Sequence, residues 1–226
     1  MSRTAAVSVV SALAAAAALA WAVLAPGTAG LSVLLAAAAL VVAGVAWLEG
    51  GPGSAREVAL IATLGSAAAA GRILFAPIPG VQPVTVIVVA TGAALGVRAG
   101  VSVGATAALV SNLFLGQGPW TPWQMLAWGA CGAVGALAAP LIRRRIPFAL
   151  LTAVLGFGFS ALMDVWLWLA FWPHTWPAFA VVHARGIPYD TAHAIGNVVL
   201  ALAIGPELRR LLARYGRRLR TEIAWA

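Results

Sequence analysis

Asp164 stands inside the apolar stretch GFGFSALMDVWLWLAFW. An ionised carboxylate at membrane depth is costly unless it is paired, hydrogen-bonded or turned towards a cavity. Its chemistry is that of a ligand-contacting or proton-sensitive group, or of a structural partner for Asn112 or Asn197. Asp190, His193 and Asn197 follow in DTAHAIGNVVLALAIG. His193 and Asn197 are four residues apart and share a helix face, with Asp190 one turn earlier. Such a row lines a solute cavity or makes helix-to-helix hydrogen bonds. Asn112 follows Ser111 in LVSNLFLGQG, and Gln82, Gln117 and Gln124 lie near Trp120, Trp123 and Trp128. Amides beside indoles suit an organic ligand with several polar handles. Each indole taken alone suits a bilayer interface equally well. Tyr189, with Trp172 and Trp176, flanks a third polar segment, 172–189, as a possible lid.

Other chemistries are less well supported. Ser111 with His193 and Asp164 or Asp190 supplies the residue types of a nucleophile, base and orienter, but no nucleophile-elbow signature accompanies them. His174, His183 and His193 match no metal-site spacing, and the single cysteine, Cys131, offers no paired thiolate, so no metal is expected. Lysine is absent, so there is no phosphate-binding loop ending in Gly-Lys-Ser/Thr and no ATP hydrolysis by that route.

The elements that must position these side chains are membrane helices. Hydrophobic residues make up 62% of the chain and charged residues 9%, against about 25% charged in a soluble domain. The spacing predicts an all-α integral membrane protein with eight transmembrane helices, over about 5–24, 31–48, 57–74, 82–97, 100–115, 123–141, 147–171 and 190–212. Two extra N-terminal helices (1–50) precede a six-helix core with a basic tail (51–226). The run 5–24 is read as a retained helix and not as a signal peptide. The net charge of +8 comes from arginines at segment ends, which points to membrane topology and lipid contact and not to nucleic acid. With both termini cytoplasmic, 12 arginines lie inside and two, Arg72 and Arg185, outside. The positive-inside rule favours that orientation. The charge-free loops APIPGVQP (76–83) and GQGPWTPWQ (116–124) then share the outer face with 172–189.

The predicted helix ALIATLGSAAAAG carries two small-residue stripes, Ala59–Thr63–Ala67 and Ala62–Ser66–Ala70. Such stripes allow close backbone approach, within the bundle or against another protein. Together with FAPIPGVQP (75–83), TGAALGVRAG (91–100) and VSNLFLGQGPWTPWQMLAWG (111–129), this helix resembles the S components, the substrate-binding membrane subunits of energy-coupling factor vitamin transporters. The resemblance covers roughly 57–212 and leaves the first two helices extra. It implies a six-helix core that holds a vitamin near the outer face of a bacterial-type cytoplasmic membrane, with no intrinsic cofactor. It implies a gate at 75–83, and a coupling surface on Ala59, Ala62, Thr63, Ser66, Ala67 and Ala70 that docks a transmembrane coupling subunit. Two cytosolic ATPase subunits would supply the energy.

The Trp, Gln and Asn content suits a large, weakly charged vitamin such as a cobalamin-like corrinoid. Contact with Arg72 or Arg185 would instead suit a carboxylate or phosphate, as in pantothenate, folate or a thiamin-related compound. An intramembrane enzyme and a structural or assembly membrane protein are the competing classes.

Overall fold

The computed structural model describes residues 3–49 and 55–223. Among them are nine α-helices and no strand. These are α1 (Arg3–Leu24), α2 (Ala29–Glu49), α3 (Ala55–Phe75), α4 (Val84–Leu95), α5 (Val97–Leu115), α6 (Thr121–Leu137), α7 (Arg145–Phe171), α8 (Trp176–Ala203) and α9 (Gly205–Ile223). The expected boundary near residue 50 lies outside the described residues.

The architecture is that of a multi-pass α-helical membrane protein. Helices α1, α2, α3, α5 and α7 are long and apolar enough to cross a membrane, and α8 with α9, bent by 63°, makes a sixth if the pair is one broken span. The expectation of eight crossing helices is therefore met only in part. Helix α4 has 12 residues and rises about 18 Å, short of the ~30 Å hydrocarbon layer. Helix α6 has 17 residues. Both are packed inside the bundle, so their length is set by their neighbours.

The last predicted helix also differs. The segment 172–189 is not a long loop: α8 starts at Trp176, and only residues 172–175 connect it to α7. The Thr175 hydroxyl accepts the Ala178 N–H (3.4 Å), and Pro177 occupies the first turn, where its missing N–H costs nothing. Pro188 lies inside the helix, where packed neighbours can tolerate the lost backbone bond. Asp190 is consequently in the middle of α8.

Glycine sets the tightest contacts. A Cβ on Gly100 would lie 2.7 Å from the Gly132 carbonyl oxygen, and one on Gly135 would lie 2.5 Å from the Val89 oxygen. Helices α4, α5 and α6 thus touch backbone to backbone. The main core gathers Val84, Val86, Val89, Val103, Trp128, Phe148 and Phe159 around this contact. A second apolar cluster joins Ala22, Ala29, Val33 and Ala37 of the N-terminal pair to Trp123, Trp166 and Leu169 of α6 and α7.

On α3 the buried face is Leu64, Gly65, Ala68, Ala69 and Arg72. Gly65 meets Thr106 of α5, whose side chain would lie 2.7 Å from an added Cβ. Ala59, Ala62, Thr63, Ser66, Ala67 and Ala70 are all exposed. Both small-residue stripes are therefore left free by the bundle itself, and internal packing does not account for them.

Candidate functional site

Arg72, in the last turn of α3, is the centre of a buried polar network. The side chain is 8% exposed. Its Nη1 donates to Ser111 Oγ and to Asn112 Oδ1 (both 2.6 Å), its Nε to Gln82 Oε1 (3.3 Å) and its Nη2 to Gln124 Oε1 (3.5 Å). The guanidinium also stacks over the Trp128 ring, 4.9 Å from its centroid. Every one of these partners is neutral, and Arg72 forms no ion pair among the described residues.

The surrounding amides are locked by further bonds. Asn112 Nδ2 donates to Thr121 Oγ1 (2.9 Å) and Gln124 Oε1 (2.8 Å), and Thr121 donates to Gln117 Oε1 (2.8 Å). Gln117 in turn donates to the Leu109 carbonyl (3.0 Å), so it braces the turn between α5 and α6. Gln82 Nε2 donates to the Tyr189 hydroxyl (2.7 Å), tying the 76–83 turn to α8.

A second layer runs through Trp128. Its indole N–H donates to Thr85 Oγ1 (3.2 Å), which stands 3.3 Å from His193 Nε2. His193 Nδ1 is 2.6 Å from the Gly80 carbonyl oxygen. A carbonyl can only accept, so Nδ1 carries the proton and Nε2 accepts from the threonine hydroxyl. Gly80 has φ +77°, and an added Cβ would lie 2.9 Å from Ala192 Cβ. Glycine is required there by its backbone angle and by its contact with α8.

The network opens on a cavity of about 190 Å³, with Arg72, Gln82, Tyr189 and the turn residues Ile78, Pro79 and Gly80 in its wall. That volume is below the roughly 300–1,000 Å³ of drug-sized ligand sites.

The structure thus brings Gln82, Asn112, Gln124 and Tyr189 together around one cation, with Gln117 as brace and His193 behind. The remaining sequence-predicted residues lie elsewhere. Trp123 is buried in the seam with the N-terminal helices. Trp120 makes an edge contact with Trp166, centroids 6.4 Å apart. Asn197 is fully buried at the α7–α8 contact, where neither side-chain atom has a hydrogen-bond partner among the described residues. Asp164 faces His183, whose Nδ1 donates to Asp164 Oδ2 at 2.7 Å, and Asp190 stands beside them. The row Asp190–His193–Asn197 is therefore divided among three environments. Ser111, His193 and either Asp164 or Asp190 do not form a triad: no hydrogen bond links them among the described residues, Ser111 pairing with Arg72 and Ala108, His193 with Thr85 and Gly80, and Asp164 with His183.

The sequence marked Trp128 among the indoles beside the amides and Arg72 as one contact for an anionic group, but not the central place of Arg72, nor Thr85 and Thr121. A usable signal was present: Arg72 is an arginine in an apolar helix at the end opposite the basic clusters. The chain matches no protein-family model, no curated protein and no solved structure.

Proposed function

We propose that this chain is a solute-binding membrane subunit of an ATP-driven uptake system, of the S-component kind, and that its solute carries a carboxylate or comparable anionic group. The observation that carries the reading is Arg72: a buried cation with only neutral partners, in the wall of a cavity. Burying a charge without a counter-charge costs several kcal/mol, and an anion in the cavity would offset it. The cavity volume argues for a compact vitamin-like acid over a corrinoid, which would require the 76–83 turn to swing away. On this reading that turn is the outer gate, tied shut by Gln82–Tyr189 and His193–Gly80. The exposed small-residue face of α3 would dock the coupling subunit, and separate ATPase subunits would supply the energy.

The reading is tested by purifying the chain in mild detergent and identifying co-purified metabolites by mass spectrometry, followed by titration of the candidate acid. Arg72→Gln should abolish retention of an anionic metabolite. Undiminished binding in that variant, or exclusive binding of cations, would overturn the proposal.

A second reading, an intramembrane enzyme, draws on the Asp164–His183–Asp190 cluster and not on Ser111. Turnover of a bound metabolite by the isolated chain, lost in Asp164→Asn, would favour it.

A further inference from the structure

We propose that Asp164, His183 and Asp190 form a binding site for a zinc-class divalent metal ion between α7 and α8. Each residue offers one ligand atom, and these atoms lie within 4.8 Å of one another. His183 and Asp190 are seven residues apart on α8, two turns along one helix face, and Asp164 approaches from α7.

Two observations favour a cation at this cluster. Asp190 is 2% exposed, and its Oδ2 has no hydrogen-bond partner among the described residues. A buried carboxylate oxygen without a donor is strongly disfavoured unless a cation meets it. Next, the space between the helices is kept clear at Gly186: a methyl there would lie 3.2 Å from Asp190 Oδ2 and 3.3 Å from both Asp164 oxygens. The carboxylates of both aspartates therefore pack against the same side-chain-free face of α8, which brings like charges from two helices together at Gly186. The imidazole itself is positioned by Phe179, whose ring lies nearly parallel to it at an interplanar angle of 9°.

The donor set selects the metal. One imidazole nitrogen with carboxylate oxygens suits zinc and its first-row neighbours, whereas magnesium and calcium prefer all-oxygen shells. A neutral His183 and two carboxylates sum to −2, which a divalent ion cancels. Zinc bonds of about 2.0–2.2 Å place tetrahedral ligand atoms roughly 3.4 Å apart. The His183–Asp164 pair, now at 2.7 Å, would widen by less than an ångström. Binding moves the ring proton from Nδ1 to Nε2, so that the Nδ1 lone pair faces the metal. His183 is 42% exposed, which leaves a path for the ion and an open coordination position for water. The inference is independent of the Arg72 site, because these three residues take no part in that network.

The test uses the full-length protein in mild detergent, stripped with a chelator and titrated with ZnSO4, with metal content read by elemental mass spectrometry. Cobalt(II) titration adds a visible absorption band that reports tetrahedral nitrogen–oxygen ligation. One zinc per chain is expected, with at least a tenfold loss of affinity in Asp190→Asn and in Gly186→Ala. His174→Gln, outside the cluster, should bind as the parent does. The Gly186→Ala change favours the helix, so it reads the site even if the aspartate variant fails to fold. A stripped protein that takes up no zinc, or folded Asp190→Asn and Gly186→Ala variants that both bind as tightly as the parent, would overturn the proposal in favour of a proton shared between the two aspartates.

Discussion

Stability and binding pull in opposite directions at Arg72. Its guanidinium is solvated only by amide and hydroxyl oxygens and one indole face. Removing such a charge takes away a desolvation penalty, and the glutamine amide of an Arg72→Gln variant still supplies N–H donors to the Ser111 and Asn112 oxygens. Arg72→Gln is therefore expected to keep or raise the melting temperature while weakening an anionic solute by about 10–100-fold, the worth of one or two charge-assisted hydrogen bonds. Thermal unfolding and equilibrium binding on the same preparations check both halves. Gly80 behaves in the opposite sense. An L-residue at φ +77° costs about 1–2 kcal/mol from backbone alone, and the added Cβ would also press on α8. Gly80→Ala should loosen the 76–83 turn, which faster amide hydrogen exchange over that turn would report.

Small residues occur throughout the helices, yet they do different work on different ones. On α4, α5 and α6 they permit backbone contact, so Gly132→Val should prevent folding and be read as loss of monodisperse protein in detergent. On α3 the stripe residues Ala62 and Ser66 are exposed. Ala62→Leu or Ser66→Leu should leave the melting temperature and solute binding unchanged, while abolishing uptake in a complex reconstituted with coupling and ATPase subunits. Unimpaired uptake in both variants would remove the docking role of this face. In sequence both sets look alike, because ALIATLGSAAAAG and TGAALGVRAG share the same spacing of small residues. What separates them is which face a neighbouring helix covers, and that depends on the rotation of each helix within the bundle.

Across the whole molecule the two ends differ in chemistry. One end gathers the Arg72 network, the 76–83 turn and the Asp164–His183–Asp190 cluster. The other carries Arg143, Arg144 and Arg145 and the arginine-bearing α9, where Arg209 donates to the Arg143 carbonyl (3.0 Å). The positive-inside rule predicts that the arginine end faces the cytoplasm. Cys131 is the single cysteine and is buried, so introduced cysteines will report topology against a low background. In right-side-out vesicles, Gln117→Cys should react with an impermeant maleimide and Arg144→Cys should not; the reverse pattern would invert the proposed orientation.

Composition and periodicity by themselves determined that the chain is helical and membrane-embedded. They also marked nearly all the helices to within a few residues, because apolar run length and glycine or proline breaks are local properties. The α8 start and the break between α8 and α9 escaped them: the expected helix 190–212 begins fourteen residues late and runs through the 63° bend at Ile204, whereas α8 is helical from Trp176 through Gly186 and Pro188. The amide residues of the site were legible as polar groups out of place in an apolar chain. Only the tertiary structure decided which of them meet. Arg72, Gln82, Asn112 and Gln124 come from four segments spread over 53 positions, and Asp164 reaches His183 across a helix hairpin. Hydrogen bonding depends on distances of a few tenths of an ångström between helices, which no single helix encodes alone.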